Sequence, residues 1–307
     1  MLAAAAVLLV SLTACSSQQP ADCGKAAPTG RASDLIAAKG SVHGEPAATF
    51  PTPLRTSTTE RTIVDPGHGA PLQNGQAIRA DLSIYNGTTG QLLPRSAYGA
   101  PEGTLSLTIG QTVAGISRGL VCARPGAKVA IAVSPKDGVN DKKTSLVVVV
   151  DVRKAFLQRA NGAPQPHQPG MPKVVLAPNG APGITVPKTK APTKLQIADL
   201  KKGDGATVKR GDHVVVQYTG VLWKDGTVFD STWTGNGATT LVADKATASS
   251  GSSGGVIAGF ADAMIGAKVG SQVLAVVPPS KGYGAQGSGA IPANATLVFV
   301  VDILGIQ

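Results

Sequence analysis

VVVQYTGVLWKDGTVFDST, residues 214–232, is the stretch on which the reading of the fold depends. Its β-branched, apolar opening from Val214 to Thr219 reads as a strand, Lys224-Asp225-Gly226 as a turn, and the residues from Thr227 onward as a second strand. The second strand closes with an aromatic ring beside a carboxylate, Phe229 and Asp230. That pair either decorates the end of a hairpin or belongs to a site.

An altered version of the stretch, IRADLSIYNGTTGQLLPRS at 78–96, lies earlier in the chain. Gly67-His68-Gly69-Ala70 falls over Gly203-Asp204-Gly205-Ala206 at an offset of 136, and the register holds through Gly75 over Gly211, Gly90 over Gly226 and Leu93 over Phe229. VAGISRGLVCARPGAKVAIAV from Val113 then matches IAGFADAMIGAKVGSQVLAVV from Ile257 at 144, and SLVVVVDV from Ser145 matches TLVFVVDI from Thr296 at 151. The offset grows at two places, which puts longer loops in the second copy. The chain is therefore two repeats, each with its own core.

Each copy reads as short strands around one brief helix. In the second, Val214–Thr219 and Val273–Val277 are apolar strands, and Thr296–Leu304 places Leu297, Phe299, Val301 and Ile303 on one face. Gly259–Ile265 sets Phe260 and Met264 four apart, on one side of a helical turn. The expected class is α+β, a curved antiparallel β-sheet wrapped around a short α-helix in each domain.

At 307 residues the chain suits two domains, and its 42% hydrophobic content argues against disorder throughout. The net charge of +10 is scattered. Its densest groups, Lys188–Lys194 and Lys201–Arg210, lack interleaved aromatics for base stacking, so they read as solvated surface and no nucleic acid is expected. His43, His68, His167 and His213 are widely spread and no CxxC occurs, so neither metal nor cofactor is expected.

The amino terminus, MLAAAAVLLVSLTACSS, is an apolar run too short to span a bilayer comfortably, ending in small residues and a cysteine. Leu12-Thr13-Ala14-Cys15 resembles a bacterial lipobox, which implies removal of residues 1–14, lipidation of Cys15 and an extracytoplasmic protein anchored to the membrane. A plain secretory signal with a coincidental cysteine is the alternative. Residues 15–49 are small, polar and proline-bearing and read as a flexible membrane tether. Domains are expected at 50–160 and 194–307, joined by a linker over 161–193 whose many prolines oppose regular structure. The linker's middle, VVLAPNGAPGITVP, is apolar enough to pack on a domain. Cys23 and Cys122 remain after Cys15; they either pair or stand as a tether thiol and a buried one.

The second copy can be compared with a known family. VVVQYTGVLWKDGTVFDST, GGVIAGFADAMIGAKVGSQ and VVPPSKGYGAQGSGAIPANATLVFVVDIL, in that order over 194–307, closely resemble the FKBP-type peptidyl-prolyl cis-trans isomerases. The resemblance implies a proline pocket made by Tyr218, Phe229, Asp230, Val256, Ile257, Phe260, Tyr283, Ile291 and Phe299. Phe260 would be its floor, with Phe229 and Phe299 its walls. The Ile257 N–H and the Tyr283 phenol would each meet a substrate carbonyl, and Asp230 would stand at the edge, held by Tyr218. The partners implied are proline-containing segments of exported proteins, whose folding the enzyme would assist, together with the family's macrolide inhibitors.

The chain also departs from the family. Thr232–Gly255 is long and polar and lacks a further pocket aromatic, and the loop after Tyr283 carries Ser288 and Ala290 where bulkier side chains are common, which puts rate and macrolide affinity in doubt. In the first copy Leu82 replaces Tyr218, Leu93 replaces Phe229, Pro94 replaces Asp230, Ile116 replaces Phe260 and Val148 replaces Phe299. That copy is expected to be a degenerate, silent FKBP-like domain. The competing expectation for the whole chain is a non-catalytic chaperone or peptide-binding lipoprotein using both domains.

Overall fold

A computed structural model of the chain describes residues 22–40, 47–98, 105–139, 143–235, 237–245 and 255–307. The candidate signal and Cys15 lie outside the described residues. The described residues begin with a 3-10 turn (Cys23–Lys25), a short helix α1 (Arg31–Asp34) and paired strands β1 (Ala37–Lys39) and β2 (Ala47–Thr49). The first domain follows as β3 (Glu60–Asp65), β4 (Ala77–Asn86), β5 (Leu92–Arg95), β6 (Leu105–Thr108), helix α2 (Ala114–Leu120), β7 (Lys128–Val133) and β8 (Leu146–Ala155). Next come β9 (Ala163–Pro164), β10 (Lys173–Leu176) and β11 (Pro182–Thr185). The second domain comprises β12 (Gln196–Lys202), β13 (His213–Leu222), β14 (Val228–Ser231), β15 (Thr239–Val242), α3 (Ala258–Met264), β16 (Gln272–Val277) and β17 (Leu297–Ile306).

Both domains use one antiparallel plan. The first sheet runs β3-β7-β8-β4-β5, with β6 also on β4, and the second runs β14-β13-β17-β16-β12, with β15 also on β13. The apolar side chains of one face, Leu82, Val129, Ile131, Val148 and Val150 in the first sheet, close over Ile116 and Leu120 of α2. Val216, Val273, Ala275, Phe299 and Val301 close similarly over Phe260 and Met264 of α3. The central strands correspond at the offsets 136, 144 and 151 read from the sequence. The pair β6 and β15 is different: it stands 134 apart, so the first copy is the longer one between its second and third hairpin strands.

The N-terminal segment and the linker differ from expectation. The described residues 22–40 and 47–49 are not a tether but a cover for the outer face of the first sheet. Ile36 and Leu54 pack there on Ala130, Ala132, Val147 and Val149, with Ala32, Ala38, Ala48, Phe50 and Tyr85 around them. Cys23 and Cys122 are disulfide-bonded across 99 residues, and the Ala27 N–H bonds the Arg118 carbonyl at 2.8 Å. Composition suggested a spacer, but a sheet whose second face is also apolar must be covered by something, and this segment supplies the cover.

The linker forms regular structure despite its prolines. β9 extends the second sheet beyond β12, and β10 and β11 form a hairpin over that sheet's outer face. Met171, Val174, Ile184 and Val186 pack there against Val221, Trp223, Leu274, Val276, Val298 and Val300. Pro164 and Pro182 are tolerated because each lies in an edge strand, where a missing N–H costs no ladder bond. The domains also touch one another. Phe156, after β8, is buried with Ala77, Val215, Ala238 and Leu304, and the Leu157 N–H bonds the Leu304 carbonyl at 3.1 Å.

Candidate functional site

The opening stretch is a hairpin. β13 pairs with β14 through Thr219–Ser231, Gly220–Asp230 and Val221–Val228. Alternation along β14 turns Phe229 inward and leaves Asp230 exposed. The Tyr218 N–H, where β13 has no ladder partner on this side, bonds Thr232 Oγ1 at 2.9 Å. The Tyr218 hydroxyl donates to Asp230 Oδ2.

Four rings meet at the open end of the core. Phe260 and Phe299 are 5.0 Å apart at their centroids, Tyr218 and Phe260 5.3 Å, Phe229 and Phe299 5.5 Å, and Tyr218 and Phe299 6.4 Å. Three of these pairs are edge-to-face, the arrangement that the ring quadrupoles favour. Phe260 and Phe299 are buried, whereas Tyr218 and Phe229 are partly exposed. Val256 and Ile257 are partly buried against the same cluster, and Ile291 is buried in it. All nine residues singled out from the sequence lie in one domain, and seven of them belong to or border this core; Asp230 joins through Tyr218, and Tyr283 stands outside it.

Ile257 caps α3 with an extended backbone (φ −55°, ψ 147°), so the chain enters the helix from the rim of the ring cluster. No acceptor among the described residues is bonded to its N–H. Tyr283, 38% exposed, follows a 3-10 turn at Pro279–Lys281. That turn is tied to the helix: Lys281 Nζ lies 2.6 Å from Asp262 Oδ2, and Lys245 Nζ lies 3.6 Å from Asp262 Oδ1. Burial pushes the Asp262 carboxyl up, but Lys281 and Lys245 outweigh it and hold it below the ordinary value.

The two phenols stay protonated. Burial first, then Asp230, raises Tyr218, and the same two causes raise Tyr283. Each therefore acts as an O–H donor, and the Tyr218 hydroxyl is engaged with Asp230.

One residue missed by sequence reasoning decides the cluster's shape. A side chain on Gly220 would meet Phe229 Cζ at 2.5 Å and Phe299 Cε1 at 2.9 Å, so the rings occupy the space that a Cβ would need. At the matching position the first domain has Ile84, which fills that space itself and packs on its own core. The signal was visible, since a glycine in the middle of a β-branched strand marks a close approach. Trp233, which stands near the missing pocket aromatic in sequence, is directed elsewhere, against Gly180 at the tip of the β10–β11 hairpin.

Comparisons with known proteins give the domain that carries this ring cluster a class. The family model for FKBP-type peptidyl-prolyl cis-trans isomerases matches residues 205–304. A probable FK506-binding protein of Corynebacterium glutamicum is 36% identical over 123 residues, 40% of this chain and 96% of that protein. An FK506-binding protein of Streptomyces anulatus is 32% identical over 127 residues, 41% of this chain and 96% of that protein. FkpA of Aeromonas hydrophila, an FKBP-type isomerase, is 38% identical over 113 residues, 37% of this chain and 38% of that protein. The chain belongs to the FKBP-type peptidyl-prolyl cis-trans isomerase family. Its activity is isomerisation of the bond preceding proline.

Proposed function

We propose that the ring cluster of the second domain is the catalytic pocket and that the protein assists the folding of exported or envelope proteins outside the cytoplasmic membrane, held there by a lipid on Cys15. The observation that carries the pocket is the convergence of Tyr218, Phe229, Phe260 and Phe299 around the space vacated at Gly220. The planar X–Pro amide is held by a resonance barrier of ~18–20 kcal/mol. Twisting the bond removes that resonance and makes the group less dipolar. An apolar recess penalises the planar, dipolar form more than the twisted one, and the barrier falls without a covalent step.

In this reading Phe260 lies under the pyrrolidine ring, with Phe229 and Phe299 beside it. Val256 and Ile291 complete the apolar lining. The Ile257 N–H and the Tyr283 hydroxyl hold carbonyls on either side of the rotating bond, and Asp230 orients Tyr218. Macrolide inhibitors would bind weakly, because Ser288 and Ala290 offer little surface after Tyr283.

The location is supported by the Cys23–Cys122 disulfide, since such bonds persist in oxidising compartments. The first domain has no catalytic pocket of its own in this reading: Leu82, Ile116 and Val148 are all buried in its core. The test is acceleration of cis-trans exchange in a short X–Pro peptide by the full chain. Activity that vanishes in Asp230→Ala supports the pocket. Peptide binding without acceleration would instead make the protein a holding chaperone. For the anchor, Cys15→Ala should release the protein from membranes, and retention of that variant would refute lipidation.

A further inference from the structure

The turn between β14 and β15, described at residues 232–235 and 237–238, is gripped from both sides by chain outside the pocket-bearing repeat. β14 and β15 both pair with one edge of β13, β15 over His213–Val216 and β14 over Thr219–Val221, so the turn crosses that edge beside Gln217 and Tyr218. Its first residue, Thr232, is buried and accepts the Tyr218 N–H at 2.9 Å. It also accepts the Gly237 N–H through its carbonyl at 2.9 Å, which closes the turn on itself.

From the linker side, the Trp233 ring lies so close to Gly180 that a Cβ there would meet it at 3.0 Å. Arg159 lies against the same glycine and donates from Nη1 to the Pro178 carbonyl at 2.9 Å. From the first domain, the Gly75 carbonyl accepts the Ala238 N–H at 3.0 Å, and Thr108 Oγ1 donates to the Ala238 carbonyl at 2.9 Å. The fit is close: a Cβ on Gly237, whose φ is +63°, would meet Gly75 Cα and O at 2.7 Å.

We infer that the first domain and the linker hairpin form a clamp on this turn that sets the edge of the pocket, so the first domain is a positioning element for catalysis in the second. The inference rests on the pocket assignment made above. Its physical basis is short reach. β14 has four residues, Val228 is 56% exposed, and Phe229 and Asp230 are separated from the clamped turn only by Ser231. A strand so short, at a sheet edge, takes its position from its pairing and from whatever fixes its end. Displacement of Thr232 would move the Tyr218 backbone, and with it the hydroxyl that Asp230 accepts.

The test compares Thr108→Val, Thr108→Ser and Gly237→Ala in the full chain with the parent protein. The readouts are kcat/KM on an X–Pro peptide, melting temperature, and the 19F resonances of fluorotryptophan at the two tryptophans, Trp223 and Trp233. Thr108→Val loses one hydrogen bond and should lower kcat/KM about fivefold, with the Trp233 resonance shifted and that of Trp223 unmoved. Thr108→Ser should restore both to the parent values. Gly237→Ala, which forces the contact apart, should do at least as much; if it fails to fold, Thr108→Val carries the test. A shifted Trp233 resonance with unchanged kcat/KM overturns the clamp, as does a fall in melting temperature alone. An inactive parent chain overturns the pocket reading and this inference with it, whereas an active parent with indifferent variants overturns the clamp only.

Discussion

Ile84 and Gly220 hold the same place in the same strand of the two domains, and around them the domains part. In the first domain Ile84, Leu82, Ile116 and Val148 fill the open end of the core with aliphatic side chains. In the second the glycine leaves room, and Tyr218, Phe229, Phe260 and Phe299 meet around it. Away from that end the domains solve their folding problems alike. Ser96 Oγ takes the Leu82 N–H at 3.0 Å where Thr232 Oγ1 takes that of Tyr218 at 2.9 Å. A carboxylate is buried at one position of the long last strand in each, Asp151 and Asp302. An ion pair joins helix to 3-10 turn in both with its charges exchanged, Arg118–Asp137 at 2.7 Å and Lys281–Asp262 at 2.6 Å. The lesson is that the fold constrains where a group must bond or pair, while that end of the core is free to be built of aliphatic side chains or of rings.

The largest expected effect separates how the domains are held together. The disulfide closes a 99-residue span in the first domain. Cys122→Ser should therefore destabilise that domain by about 4 kcal/mol, seen by calorimetry as one transition moving well below the other. A joint fall of both transitions would show that the sheets unfold as one unit.

The comparison predicts next that importing the first domain's residue ruins the second's site. Gly220→Ile should push Phe229 and Phe299 aside and cut peptide isomerisation about a hundredfold, while circular dichroism still reports a folded sheet. Near-normal turnover would show that the space at Gly220 is not what distinguishes the domains. Tyr283→Phe removes a single donor and should cost about tenfold. Equal rates for this variant and the parent would remove Tyr283 from the site.

The shared carboxylates predict a pH dependence. Burial pushes Asp302 up to about 6 in spite of the Ala160 N–H and the Gln272 amide, each at 2.7 Å, and pushes Asp151 up to about 6 in spite of Lys128. The native state then holds these protons more tightly than the unfolded chain. Their stabilising contribution is complete below the unfolded value of about 3.9 and is lost as pH rises through about 6. Asp302→Asn should flatten the fall in melting temperature between pH 4 and 7, and an unchanged slope would mean that the carboxyl is ionised throughout. The smallest effect concerns the exchanged ion pair. Lys281 is 40% exposed, so Asp262→Asn should lower stability by only ~0.5–1 kcal/mol.

Much of this was legible along the chain. The strands around β13, β16 and β17 were found within one to three residues, and the helix at Phe260 and Met264 within one, because period-two and period-four apolar patterns are local and each repeat confirms the other. The prolines at 164 and 182 misled, because their compatibility with a strand depends on whether that strand lies at an edge, and edges are a property of the assembled sheet. Residues 22–40 and 47–49 misled for a related reason: Ala32 and Ile36 look like tether residues until a second apolar sheet face exists for them to cover.

By itself the sequence determined that the chain is a tandem repeat of α+β units, since that follows from periodicity and from residue types at matched spacing, whereas the candidate site residues came from the family resemblance. Only the tertiary structure decided that Cys23 meets Cys122, that the Trp233 ring lies against Gly180, that the linker is a hairpin lying on a sheet, and that the first domain touches the turn beside Tyr218. Each of these is a contact between residues far apart in the chain, selected by which surface remained uncovered after the local elements had formed.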